Sequence, residues 1–269
     1  MNLKGAFKAF APPIAYSVAA RAYRALRGTK QIEAAPAPQY GDLGDYGTYA
    51  EAAALCGKAY EQADVLAKTL ELTKGIVPGP CLNQLCIRLL AAVQYAIARK
   101  NGGPVKIVDF GGALGSNYFF TRHLMQTEQM EWVVVELPET VAVGRQHLAK
   151  AELRFEDSLK VAGEADLVVA AGAIQYVPDP YVTLRELQQV APFLIVDRVP
   201  LLDRDRITVQ KVHPALFAAS FPKWYLSRER FLAALDMRLV MEWDLPGYLA
   251  PLDGTPQDLH HGFLFEKQG

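Results

Sequence analysis

Hydrophobic positions along this chain alternate between two rhythms, short apolar runs bounded by turn residues and longer stretches with apolar residues every third or fourth position. Val105 to Phe110 is an apolar run, preceded by the break Gly102-Gly103-Pro104, and predicts a buried parallel strand. Further strands are expected at Trp132 to Glu136, Glu152 to Phe155, Ala165 to Ala171 and Phe193 to Asp197. Helical periodicity marks Tyr49 to Thr73, Pro80 to Lys100, Thr140 to Lys150, Pro180 to Val190, and Ser227 to Leu235 with Ser227 as N-cap. Two last strands, Leu239 to Leu245 and Gly262 to Glu266, flank the turn-rich Pro246 to Pro256 and read as a closing antiparallel hairpin. Strands alternating with helices predict an α/β fold, a doubly wound, mostly parallel seven-stranded sheet. Residues 1–100 read as an N-terminal helical extension or cap with a linker near 28–47, and residues 101–269 as the sheet domain. Arg198 to Leu226 reads as one long irregular loop, of the kind that often carries function.

The strand at 105–110 runs into Gly111-Gly112-Ala113-Leu114-Gly115, with Ser116 opening the next helix. Gly111, Gly112 and Gly115 allow a turn in which backbone N–H groups come close to a ligand. Glu136 ends the next strand, 21 residues beyond Gly115, which is the length of a crossover helix. A carboxylate at that strand tip can accept hydrogen bonds from both ribose hydroxyls of a nucleoside at the switch point of such a sheet. Read singly, the glycines could be a tight turn and Glu136 a solvated strand end; together in one β-α-β unit they predict a bound nucleoside.

Composition narrows the partners. The chain has 269 residues, 51% of them hydrophobic, enough to bury a full core. Its 28 basic and 29 acidic residues leave a net charge of −1, so no overall field recruits nucleic acid. Cys56, Cys81 and Cys86 form no C-x-x-C pair and no Cys/His cluster has zinc spacing, so no metal is expected and the thiols read as reduced, in a cytoplasmic protein. No window reaches the ~18 to 20 apolar residues of a spanning helix. Residues 1–27 hold five basic residues and no acid among scattered apolar ones. That pattern suits either a peripheral contact with the inner face of an anionic membrane or a helix packed on its own domain. There is no G-x-S-x-G elbow, no G-x-x-x-x-G-K-[ST] loop and no acid pair in a glycosidase context.

The stretch Asp109-Phe-Gly-Gly-Ala-Leu-Gly-Ser-Asn-Tyr118 meets the acid-x-G-x-G-x-G motif of S-adenosylmethionine-dependent methyltransferases except at Ala113. With Leu153 to Ser158, Gly172 to Pro180 and Ile195 to Pro200, it resembles a family of bacterial methyltransferases of that class associated with surface-polysaccharide genes. Arg206 to Gln210, Phe221 to Trp224 and, more weakly, Asp45 to Ala52 extend the resemblance over most of the chain. It implies a Rossmann-like methyltransferase fold with S-adenosyl-L-methionine as cofactor. It places Asp109, Gly111, Gly112 and Gly115 on the methionine and ribose side, Glu136 on the ribose hydroxyls and Leu137 against the adenine. Asp157 and Ser158 either face the adenine amino group or cap the next turn, and Gln175 and Tyr176 lie beside the methyl position or pack as ordinary loop.

Methyl transfer to a hydroxyl needs in-line alignment and a base. His213, in the long loop after the fifth strand, is the first candidate, with Asp197 and Tyr176 as the others. His123, His260 and His261 read as structural. Arg198, Arg204, Arg206, Lys211, Lys223, Trp224 and Tyr225 suit a sugar or a phosphorylated acceptor, or equally form a covering loop with solvated charges; the acceptor is expected to be small or carbohydrate-linked. Two other readings stay open at this stage: a non-catalytic binding or scaffold module, and a nicotinamide-dependent oxidoreductase.

Overall fold

The computed structural model describes residues 40–57, 62–76, 84–100, 102–125, 129–213, 218–245 and 260–268. The basic segment 1–27, most of the expected linker, Cys81 and the turn-rich 246–256 lie outside the described residues.

Five parallel strands form the centre: β2 (Val105–Phe110), β3 (Met130–Val135), β4 (Leu153–Glu156), β5 (Leu167–Ala171) and β6 (Phe193–Leu202). β2 pairs with β3 on one side and β5 on the other, β3 continues to β4, and β5 continues to β6. The chain therefore reverses its direction of winding between β2 and β5, the switch point beside which ligands of doubly wound sheets bind. β10 (His260–Glu266) lies antiparallel between β6 and β9 (Arg238–Leu245). These seven strands are the doubly wound, Rossmann-like sheet that the alternation predicts.

Both faces of the sheet are apolar because parallel strands covered by helices bury every side chain. Val108, Val133, Val168, Leu194 and Val196 pack under Leu184 and Leu187 of α7 (Pro180–Val190) and Phe231 of α8 (Arg228–Ala233). On the other face Ile107, Trp132, Val134, Val169 and Ile195 meet Leu89, Ala92 and Val93 of α3 (Gln84–Arg99) and Val141 of α5 (Pro138–His147). Helix starts follow their capping chemistry: the Asp179 carboxylate accepts from the N–H groups of Tyr181 and Val182, with Pro180 in the first turn. Ser227 caps α8 as expected, accepting from the Arg230 N–H.

The loop expected at 198–226 is instead largely strand, and the sheet has ten strands rather than seven. β6 runs on to Leu202, followed by β7 (Arg206–Lys211) and β8 (Ser220–Ser227), which pair antiparallel. β8 joins the main sheet through Leu201 and Leu202. The linker end also differs, since Gly41–Tyr46 is β1 and pairs with β7. Two glycines and two aspartates make β1 a poor strand by propensity, and β7 interleaves charged with apolar residues. Pairing decides both: Ile207 and Val209 pack against Ala52 of α1 (Tyr49–Ala54), while Arg206, Thr208 and Gln210 take the opposite face. Among the described residues no helix is long and apolar enough to cross a membrane.

Gly144 shows how closely α5 lies on β4. A Cβ there would stand 2.4 Å from the Phe155 ring, which is buried and cannot withdraw. Gly144→Ala should therefore destabilise the protein by about 1 to 3 kcal/mol despite alanine's better helix propensity. Adding Phe155→Leu should recover part of that loss, as read from urea unfolding midpoints.

Candidate functional site

The loop after β2 is shaped by contacts that leave no room for side chains. Gly111 has φ 65°, its N–H donates to the Val135 carbonyl at 2.9 Å, and a Cβ on it would lie 2.4 Å from that of Ala173. A Cβ on Gly112 would lie 2.5 Å from the carboxyl carbon of Asp109. Ala113, where the motif has glycine, adopts φ 50°, the left-handed backbone glycine would take. Its N–H donates to Glu136 Oε1 at 3.0 Å, so the acid at the tip of β3 and the loop after β2 are bonded to one another. Glu136 Oε2 accepts from the Leu137 N–H at 2.9 Å, and the Leu137 side chain is 48% exposed.

Asp109 lies beneath this loop, fully buried. Its carboxylate accepts from Asn117 Nδ2 at 3.1 Å and 3.3 Å and from the Trp132 indole at 3.1 Å. Burial pushes its carboxyl up to about 6, against the opposing pull of those two donors and of the Arg198 charge. Its carboxylate therefore acts on the shape of the loop. Asn117 and Trp132 were not singled out in the sequence; an Asn eight residues past the acid and a Trp inside the neighbouring strand are the only signals there.

The remaining expected residues fall in three places. Leu137 and the exposed Asp157 follow β3 and β4 at the same edge, and Ser158 caps the short helix α6 (Leu159–Ala162), accepting from the Val161 N–H at 3.4 Å. Gln175 and Tyr176 follow β5 in a single tight turn. Gln175 is buried and its Nε2 donates to the Arg198 carbonyl at 3.1 Å. The Tyr176 hydroxyl donates to Gln210 Oε1 at 2.7 Å, and its ring meets Phe221 edge-on. Asp197 is buried on β6, accepts from the Trp243 indole at 2.9 Å and is raised by burial. His213 stands past the end of β7, its ring 4.7 Å from that of Tyr40.

α2 (Ala63–Lys74) touches α5. Its Val65 packs with Phe221, Val212 and Tyr176. Of the cations expected either to face an acceptor or to be solvated, Lys223 is engaged within the fold and Arg204 is at the surface. Lys223 is fully buried with its Nζ 2.9 Å from Asp42 Oδ2, which also accepts from the Tyr225 hydroxyl at 2.6 Å. Arg204 pairs with Asp45 at 2.9 Å. His260, expected to be structural, is fully buried, and burial with the nearby Lys223, His261 and Arg198 charges holds it well below the usual imidazole range. Glu242, Asp244 and His261 bring ligand atoms within 4.8 Å of one another, with Arg228 clasping Glu242 through both carboxylate oxygens at 2.6 Å and 2.8 Å.

No protein-family model matches the chain, and no curated protein matches it. Similar solved structures include the N-terminal domain of EvdMO1 in the presence of SAH and D-fucose, 16% identical over 78% of this chain and 100% of that one, with a TM-score of 0.46. An S-adenosylmethionine-dependent methyltransferase from Methanosarcina mazei is 13% identical over 64% and 96%, with a TM-score of 0.46. The glycopeptide N-methyltransferase MtfA with bound SAM is 13% identical over 65% and 92%, with a TM-score of 0.42.

Asp109 couples the site to stability. The folded protein holds its proton up to about pH 6, whereas an unburied aspartate titrates near 3.8. Folding therefore takes up a proton between those values, and stability falls as pH rises through that window by at most about 1.4 kcal/mol per unit. Asp109→Asn should flatten this slope in urea titrations at about pH 4 and about pH 6; an unaltered slope would mean that the acid is ionised throughout.

Proposed function

We propose that this chain is an S-adenosyl-L-methionine-dependent methyltransferase that methylates a hydroxyl of a small or carbohydrate-linked acceptor. The observation that carries the reading is the hydrogen bond between Glu136 and Ala113, which brings an acid and a backbone-lined loop together at the switch point, beside an exposed Leu137. Glu136 holds the loop through its two backbone bonds, and a carboxylate at such a strand tip can accept from ribose hydroxyls. Leu137 offers an apolar face to an adenine, and Asp157 lies at the tip of the adjoining strand. The close approaches of Gly111 to Ala173 and of Gly112 to Asp109 fix the path of the loop backbone on which the cofactor would rest.

When bound, the cofactor supplies a methyl group on a sulfonium, and the protein's part is to align it with an acceptor oxygen and to take the proton. Tyr176 and Gln210 are partly exposed polar groups that suit the hydroxyls of an acceptor, while Gln175 is buried against the Arg198 carbonyl. We assign the base to His213, an imidazole on the extension that carries Gln210; Asp197 is enclosed by Trp243, and the Tyr176 hydroxyl donates a hydrogen bond to Gln210. A binding module without turnover is the second reading, favoured because Asp197 and Tyr176 are already engaged.

Titration calorimetry with S-adenosylhomocysteine should show binding that Glu136→Ala weakens by about 1 to 3 kcal/mol, the range for a charged hydrogen-bonding group. Binding of a nicotinamide dinucleotide in its place would turn the assignment to an oxidoreductase. His213→Ala should lower turnover on hydroxyl acceptors by about 10²- to 10⁴-fold with cofactor affinity retained. Near-normal turnover would remove His213 as the base, and binding without turnover on a broad acceptor panel would favour the second reading.

A further inference from the structure

Arg198 is the residue whose backbone and side chain are both unusual. Along β6 and β10, Val199 faces His261 and Val196 faces Phe263, so Asp197 and Arg198 together oppose the single residue Gly262. This is a β-bulge, a device that re-aims a side chain. Arg198 occupies it with φ 60°, a left-handed backbone that a side-chain-bearing residue adopts only under strain. The surroundings enforce the bulge. A Cβ on Gly262 would stand 2.1 Å from Trp243 and 2.4 Å from Asp197 Oδ1, and the Trp243 indole holds that same carboxylate.

The re-aimed side chain crosses the carboxyl ends of three strands. From β6 it passes Gly172, where a Cβ would lie 3.5 Å from its Nε, and Nη2 donates to the Ala171 carbonyl at 2.7 Å. The same nitrogen lies 3.4 Å from Asn117 Oδ1, the amide whose other end holds Asp109. Asp197 Oδ2 stands 3.7 Å from Nε, and the Arg198 side chain stays one-fifth exposed. A guanidinium is a rigid fork of five donors, so anchoring one edge inward fixes the direction of the other.

This inference rests on the cofactor reading above. Glu136 and Leu137 fix the adenosine over the tip of β3, so the amino-acid end extends across the glycine loop toward β5 and β6, where Arg198 lies. The carboxylate is the only anionic group on that ligand. We infer that Arg198, set by the bulge opposite Gly262, receives the methionyl carboxylate and so selects for cofactors that retain it.

The test is a pair of ligands measured by calorimetry on the full chain: S-adenosylhomocysteine and its decarboxylated analogue, which lacks only the carboxylate. The wild-type protein should prefer the first by at least about tenfold, and Arg198→Met should bring the ratio close to one, mainly by weakening the acid-bearing ligand. Arg198→Lys, which keeps the charge without the fork, should retain part of the preference and serves if the methionine variant does not fold. A wild-type protein that binds both ligands equally overturns the inference without any variant. So does a preference that survives in Arg198→Met, which would leave the guanidinium as a neutraliser of Asp109 and Asp197. Failure of the wild-type protein to bind either ligand would instead overturn the cofactor reading itself.

Discussion

The interaction on which the site depends is the hold of Asn117 and Trp132 on the buried carboxylate of Asp109. A carboxylate removed from water must have its lone pairs satisfied, and these two donors come from different elements, the helix after the loop and the neighbouring strand. Joining them through one acid fixes the start of that helix relative to β3. The loop between is then bounded from below by Asp109, which is why position 112 admits no Cβ, and from the side by Glu136. Its backbone path is set before any ligand arrives, so less ordering remains to be done on binding.

The same logic of anchoring polar groups from below recurs at Asp197 and Arg198. Trp243 reaches from β9 to Asp197, and Ala171 and Asn117 hold the guanidinium. Through Asn117 the two buried acids and the arginine belong to one connected set, spanning β2, β5, β6 and β9. Changing one member leaves a polar group stranded in the interior, so their effects on stability and on binding are coupled rather than additive.

The central sheet was legible because fully buried parallel strands write their burial into uninterrupted apolar runs, as in Trp132 to Val135 and Leu167 to Ala171. The glycine loop and Glu136 were legible because close backbone approach and a strand-end acid require those residue types. β1, β7 and β8 were not. Their strands are half-polar on the face that carries Gln210, Thr208 and Lys223, and nothing local marks Gly41–Tyr46 as a strand until it meets β7. The charges of that region divide between the two readings: Arg204 is solvated beside Asp45, whereas only the distant Asp42 shows Lys223 to be an internal tie. Arg198 was visible as a charge after a strand, but the bulge that directs it depends on Gly262 and Trp243, far along the chain.

The tie between Lys223 and Asp42 joins residues 181 positions apart. A contact of that separation cannot form early, because closing so large a loop is entropically unfavourable until the intervening sheet already holds its ends near each other. During synthesis, β1 must wait without a partner until β7 and β8 have left the ribosome, and only then can the lysine enter the interior with its counter-ion. The strand that begins the described residues is thus also one of those whose pairing depends on the far end of the chain.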